Sequence, residues 1–126
     1  MDYLSNNIIN ERITFAARTL LIPELSNLGE KAKSLEEALK SFKGRPIYLT
    51  FDLDWFDPSI MPGTGTPEPG GYFWRDFAAI IDVIKSHNLI GADVVDLSPK
   101  LDNTGISSIL AAKVIRSLIM LLDKSS

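Results

Sequence analysis

Pro46-Ile47-Tyr48-Leu49-Thr50-Phe51-Asp52-Leu53-Asp54 is the stretch on which the reading of this chain turns, together with the loop that follows it. Side chains alternate along a strand, so Ile47, Leu49, Phe51 and Leu53 share one face. Tyr48, Thr50, Asp52 and Asp54 share the other. The spacing predicts a strand over 46–54 that ends in two carboxylates on one face. Beyond it, residues 57–71 are rich in proline, glycine and threonine. A loop of about 15 residues is long for a compact domain, and loops of that length without structure are usually functional or disordered.

Upstream, Ser34-Leu35-Glu36-Glu37 reads as a capping box, followed by an apolar face of Leu35, Ala38, Leu39 and Phe42 and a stop at Gly44. The segment 1–33 is poorly defined. Ile8, Ile9, Arg12, Ile13 and Ala16 have partly helical spacing, while Ile13-Thr14-Phe15 equally suits a strand, and Pro23 breaks either. Downstream, the spacing predicts a helix over 74–86 with Phe77, Ile80, Ile81 and Ile84 inward. Asn88 is a plausible stop, a strand over 90–97 ends before Pro99, and a last helix covers 104–122. That helix is expected to turn Ile109, Ala112, Ile115, Ile119 and Leu122 inward. Strands alternating with helices imply an α/β unit with parallel strands. Two parallel strands make a poor sheet, because parallel sheets are normally buried among further strands. Residues 1–126 are therefore expected to form one incomplete domain, with 34–126 its defined unit.

Composition narrows the function classes. The chain has 126 residues, 45% hydrophobic and 23% charged, as for an ordinary globular protein. Its net charge is −3 and no Lys/Arg run stands out, so neither nucleic acid nor an anionic membrane is an expected partner. Without cysteine there is no disulfide, thiolate zinc site or cysteine nucleophile. The N-terminus does not read as a signal peptide, and the apolar run 115–122 is interrupted and too short to span a bilayer.

Acidic residues gather where the strands end: Asp52 and Asp54, then Asp57, then Asp93 and Asp96. In open α/β sheets ligands bind outside the carboxyl ends of the strands. Crowded carboxylates repel one another, and a divalent cation relieves that cost. Oxygen ligands without sulfur suit magnesium, calcium or manganese. A single aspartate at a strand end more commonly serves a turn, which is the role expected of Asp57. Asp93 is open between a structural hydrogen bond and the site. On pattern alone the Asp52/Asp54 pair leaves metal binding and a structural role both open.

The run from Phe51 through Asp52-Leu53-Asp54, Asp57-Pro58 and Pro62-Gly63-Thr64-Gly65-Thr66-Pro67-Glu68-Pro69-Gly70-Gly71 resembles the third signature of the ureohydrolases, the arginase/agmatinase/formiminoglutamase family. Its Glu-Pro-Gly-Gly ending is similar to the agmatinase branch. The resemblance implies the C-terminal βαβα portion of an α/β fold, a partial three-layer, parallel-sheet arginase-like architecture. It implies a manganese-dependent enzyme in which two ions activate a water that attacks a guanidinium carbon, turning agmatine into putrescine and urea. Asp52 then matches the aspartate that bridges the two ions, and Asp54 the one that chelates a single ion. Asp96, in Val94-Val95-Asp96-Leu97-Ser98-Pro99, matches the acid that pairs with the substrate guanidinium, ordinarily a glutamate and here one methylene shorter. The resemblance also implies a small guanidino substrate, a cytoplasmic enzyme and a trimeric or hexameric full-length form.

Two further family signatures, rich in histidine and aspartate, are not found, and the chain has one histidine. The expectation is a fragment that is inactive by itself. The alternative is a non-enzymatic truncated paralogue that binds or regulates a full-length relative. Other residues receive structural roles: Glu68 as a loop brace, Thr64 and Thr66 as loop hydrogen-bonders, and Trp55 and Trp74 as packing beside the site. His87 is expected to be solvent-exposed at a helix end, and Arg75 and Asp76 to form a solvated first turn.

Overall fold

The computed structural model describes residues 35–37 and 39–125. The readings of residues 1–33, of Ser34 as a cap and of Ala38 lie outside the described residues. Two strands, β1 (Pro46–Asp52) and β2 (Asn88–Val95), pair in parallel. Helix α1 (Trp74–Ile84) lies between them in sequence, and α2 (Ile106–Ser125) follows β2. The α/β order is the one expected. Leu35 and Leu39 are buried in the core, and the helical turn 40–42 stops before Gly44, whose φ of 82° suits glycine.

Alternation along β1 is as read. Phe51 and Leu53 are buried, Ile47 and Leu49 pack partly against the core, and Tyr48, Thr50 and Asp52 are exposed. The strand is shorter than expected. Asp52 Oδ1 accepts the Asp54 N–H at 3.1 Å, and Leu53–Trp55 coil into a single 3-10 turn. A short acidic side chain that captures a nearby amide competes with the strand ladder, so β1 ends at Asp52 rather than Asp54.

Aromatic rings fill the space behind this turn. Phe51 meets Phe77 at 5.1 Å and both Trp55 and Phe56 at 5.6 Å in edge or tilted geometry, and Trp55 stacks on Tyr72 at 4.5 Å. Phe56 and Tyr72 form an isolated parallel bridge, with Asp57 N–H to Tyr72 O at 2.8 Å and Tyr72 N–H to Trp55 O at 3.0 Å. This bridge closes the neck of the long loop. A side chain at Gly71 would come within 2.5 Å of the Asp57 nitrogen, so only glycine allows the two chain segments to approach there.

Helix α1 buries Phe77, Ile80 and Ile84, while Ile81 is only half-buried. It ends at Ile84, not residue 86. Ser86 N–H and His87 N–H bond back to Val83 and Ile84, and β2 starts early, at Asn88, and ends at Val95 rather than 97. Helix α2 starts at Ile106 rather than Thr104, because Asp102 takes the amides of Thr104 and Ser107 at 2.9 and 2.7 Å. Its buried face also differs from the expected one. Ala111, Val114, Leu118 and Leu121 are buried, whereas Ile109, Ala112, Ile115 and Ile119 are exposed and Leu122 half-buried. Apolar residues occupy two arcs of this helix, and the arc carrying small Ser107 and Ala111 is the one that fits closely against the loop and β2. No described helix is long and apolar enough to cross a membrane.

Candidate metal centre

Parallel pairing places the ends of the strands side by side: Asp52 lies opposite Val95, the residue before Asp96. Asp54 follows in the 3-10 turn. Asp52, Asp54 and Asp96 each offer a carboxylate oxygen, and these oxygens lie within 4.8 Å of one another. Asp96 reaches this position with φ at 74°, in the left-handed region where aspartate is better tolerated than most side chains. The Thr66 hydroxyl lies between two of the acids, 2.7 Å from Asp54 Oδ2 and 3.3 Å from Asp96 Oδ2. It has a single proton for two acceptors.

This arrangement is rich in negative charge. The Asp52 carboxyl is pushed up to about 6, first by desolvation and further by the adjacent Asp54 and Asp96, with the Asp54 amide partly offsetting. Three carboxylates so placed fit a hard divalent cation, whose charge relieves the repulsion. They fill part of the oxygen shell that such an ion takes.

The other strand-end acids are engaged elsewhere. Asp57 accepts from Ser59 N–H at 2.9 Å, from the Ser59 hydroxyl, and from Gly70 and Gly71 N–H at 3.0 and 3.2 Å. These bonds, the Ser59 hydroxyl foremost, hold its carboxyl below the usual range. It is the turn residue expected. Asp93 stays outside the cluster. Its Oδ2 accepts from Thr50 at 3.4 Å, and its Oδ1 is buried without a hydrogen-bond partner among the described residues.

Several minor expectations change. Thr66 bonds as expected, but its partners are site carboxylates. Thr64 is buried, and its hydroxyl finds no partner among the described residues. His87 is half-buried with Nδ1 shielded, not solvent-exposed, because the tight turn after α1 folds it inward. Asp76 caps α1 by accepting the Phe73 N–H at 2.7 Å. Trp55 packs in the core, and Trp74 packs on Phe77 at 5.0 Å beneath the Lys113 ammonium at 4.1 Å.

Sequence reading missed Asp102 and Ser107, and placed Gly63 in the loop signature without finding its partner. Ser107 is fully buried, and its hydroxyl accepts the Gly63 N–H at 2.8 Å. Bonds from the Ser107 and Thr104 hydroxyls and amides hold Asp102 far below the usual carboxylate range. Asp102-x-Thr104 ahead of an apolar helix is a cap signal that points to this cluster.

The arginase family sequence profile matches residues 10–121. This chain belongs to the arginase family. Among its relatives, the guanidinopropionase of Pseudomonas aeruginosa is 36% identical over 109 residues, covering 86% of this chain and 34% of that protein. The agmatinase of Chromobacterium violaceum is 38% identical over 89 residues, covering 71% of this chain and 28% of that protein. Among solved structures, proclavaminate amidino hydrolase from Streptomyces clavuligerus superposes with a TM-score of 0.70 at 35% identity, over 82% of this chain and 33% of the other. The arginase of Bacillus caldovelox does so with a TM-score of 0.63 at 27% identity, over 75% and 32%. The chain spans about a third of the length of the curated relatives it matches. Its α/β unit is thus a part of the arginase-family fold, as expected from the 51–71 run.

Proposed function

We propose that this chain carries the Asp-x-Asp part of a manganese-dependent ureohydrolase site of agmatinase-like specificity, splitting agmatine and water into putrescine and urea. The observation that supports it is the convergence of Asp52, Asp54 and Asp96 beneath Thr66 in a member of the arginase family. Asp52 and Asp54 would hold manganese. Bound there, manganese supplies positive charge and activates water for hydrolysis of a guanidinium C–N bond. Asp96 presents a carboxylate that pairs with guanidinium N–H groups. The cluster's negative charge draws in a cationic substrate such as agmatine. A cytoplasmic enzyme that assembles as a trimer or hexamer in its full-length form completes this reading.

The three carboxylates that converge among the described residues underfill the shell of two ions, and the chain contains a single histidine. The chain by itself is therefore inactive in this proposal. Grafting residues 46–125 in place of the matching segment of the Chromobacterium violaceum agmatinase tests the site. Manganese-dependent urea release from agmatine is expected of the graft and none from the pure chain. A folded graft without activity would overturn the specificity, and urea from the pure chain would overturn the inactivity.

A second reading rests on the outward isoleucines of α2, Ile109, Ile115 and Ile119, beside a sheet of two strands among the described residues. Parallel strands normally have neighbours. A chain that keeps these surfaces open suits a non-enzymatic module bound to a full-length relative. Copurification with such a relative at fixed stoichiometry, and loss of it in an Ile119→Lys variant, would favour this role.

A further inference from the structure

We infer that Ser107, at the start of α2, is a positioning residue for the acid cluster, acting through Gly63 and Thr66. The inference rests on the manganese reading above and adds a residue well away from the carboxylates. Gly63 is held at both of its backbone polar groups. Its N–H donates to Ser107 Oγ at 2.8 Å, and its carbonyl accepts the Ser98 N–H at 2.7 Å. Ser107 is itself fixed by its N–H to Asp102 Oδ2 at 2.7 Å and is fully buried. The fit is close: a Cβ on Gly63 would lie 2.8 Å from both Cβ and Oγ of Ser107.

One glycine thus joins three segments: the long loop, the exit of β2 and the start of α2. Each end of the join leads to the site. Ser98 lies two residues after Asp96, and Thr66 three residues after Gly63. Thr66 in turn is the only hydroxyl that reaches both Asp54 and Asp96 in the described residues. Only Thr64 and Gly65 separate Gly63 from Thr66, so a displacement of Gly63 reaches Thr66 by a short path, and Pro67 restricts Thr66 further. Without the Ser107 hydroxyl the Gly63 amide loses its acceptor in a buried place, and the loop must move to satisfy it. Thr66 moves with it, away from the two carboxylates. Partners that orient metal-binding groups set affinity even though they touch no metal.

The test is titration of the full chain with manganese(II) alone, followed by electron paramagnetic resonance, with thermal unfolding recorded on each variant. Ser107→Ala is expected to weaken manganese binding by about 10-fold. In a Thr66→Val background Ser107→Ala is expected to add nothing, because both act through the same hydroxyl. Ser107→Thr, which keeps the oxygen, restores binding. Should Ser107→Ala fail to fold, Ser107→Cys keeps a side chain of the same shape with a larger, weakly accepting sulfur and must show the same non-additive pattern. Unchanged affinity in a folded Ser107 variant, or losses that add to those of Thr66→Val, overturns the inference and leaves the manganese reading standing. Absence of manganese binding by the parent chain overturns both.

Discussion

Asp52 is the last residue of β1 and Asp102 lies beyond the end of β2, and their surroundings push them in opposite directions. Desolvation first, and then the neighbouring Asp54 and Asp96, raise the Asp52 carboxyl to about 6, although it accepts one backbone amide. Asp102 is met by hydroxyls and amides of Ser107 and Thr104 and falls far below the usual range. Asp57 belongs with Asp102, being wrapped by Ser59, Gly70 and Gly71. The difference separates two uses of one residue type. An acid surrounded by donors serves the fold, and the repulsion on an acid crowded by other acids is of the kind that a bound cation would relieve.

The largest expected effect breaks the acid-rich side. The double variant Asp52→Asn, Asp54→Asn should weaken manganese(II) binding more than 100-fold on the order-of-magnitude scale of ligand loss, read by paramagnetic resonance. Thr66→Val should cost about 10-fold, since it removes only an orienting hydroxyl. Overpacking of the donor-rich side comes next. Gly63→Ala forces a methyl against Ser107 and should destabilise the chain by roughly 1–3 kcal/mol in urea unfolding.

A pH series sharpens the contrast. The folded Asp52 carboxyl binds its proton more tightly than the unfolded one, so its contribution to stability declines as pH rises from about 4 to about 6. The lowered Asp57 and Asp102 behave oppositely: their contribution is full above the ordinary carboxylate range and is lost as pH falls through it. Without metal, Asp52→Asn should therefore raise the melting temperature relative to the parent near pH 7, with the gap closing toward pH 4. A constant gap would show that charge is not the cause. The smallest effect is Asp76→Ala, which removes the cap on the Phe73 amide and should cost on the order of 1 kcal/mol.

Much of the site was legible in the sequence because it follows local rules. Alternation along 46–53 needs only the period of a strand, and an Asp-x-Asp ending marks the strand end whatever surrounds it. The 51–71 run is long enough to name the family. What escaped depends on which surfaces meet. Isoleucines on two arcs of α2 left its inward face undetermined by hydrophobicity, and close packing chose the arc with Ser107 and Ala111. Asp102 and Ser107 read as ordinary polar residues until Gly63 is placed against them across more than forty positions of chain. His87 misled for the opposite reason: helix-end chemistry suggested exposure, and the turn into β2 turned the ring inward.

The φ of 74° at Asp96 also bears on how this position can change over generations. Aspartate and asparagine tolerate that torsion better than longer or branched side chains. Length of the acid and twist of the backbone are thus inherited together. A glutamate introduced alone gains reach while meeting a less welcoming main chain, so the shorter acid is protected by the peptide geometry around it.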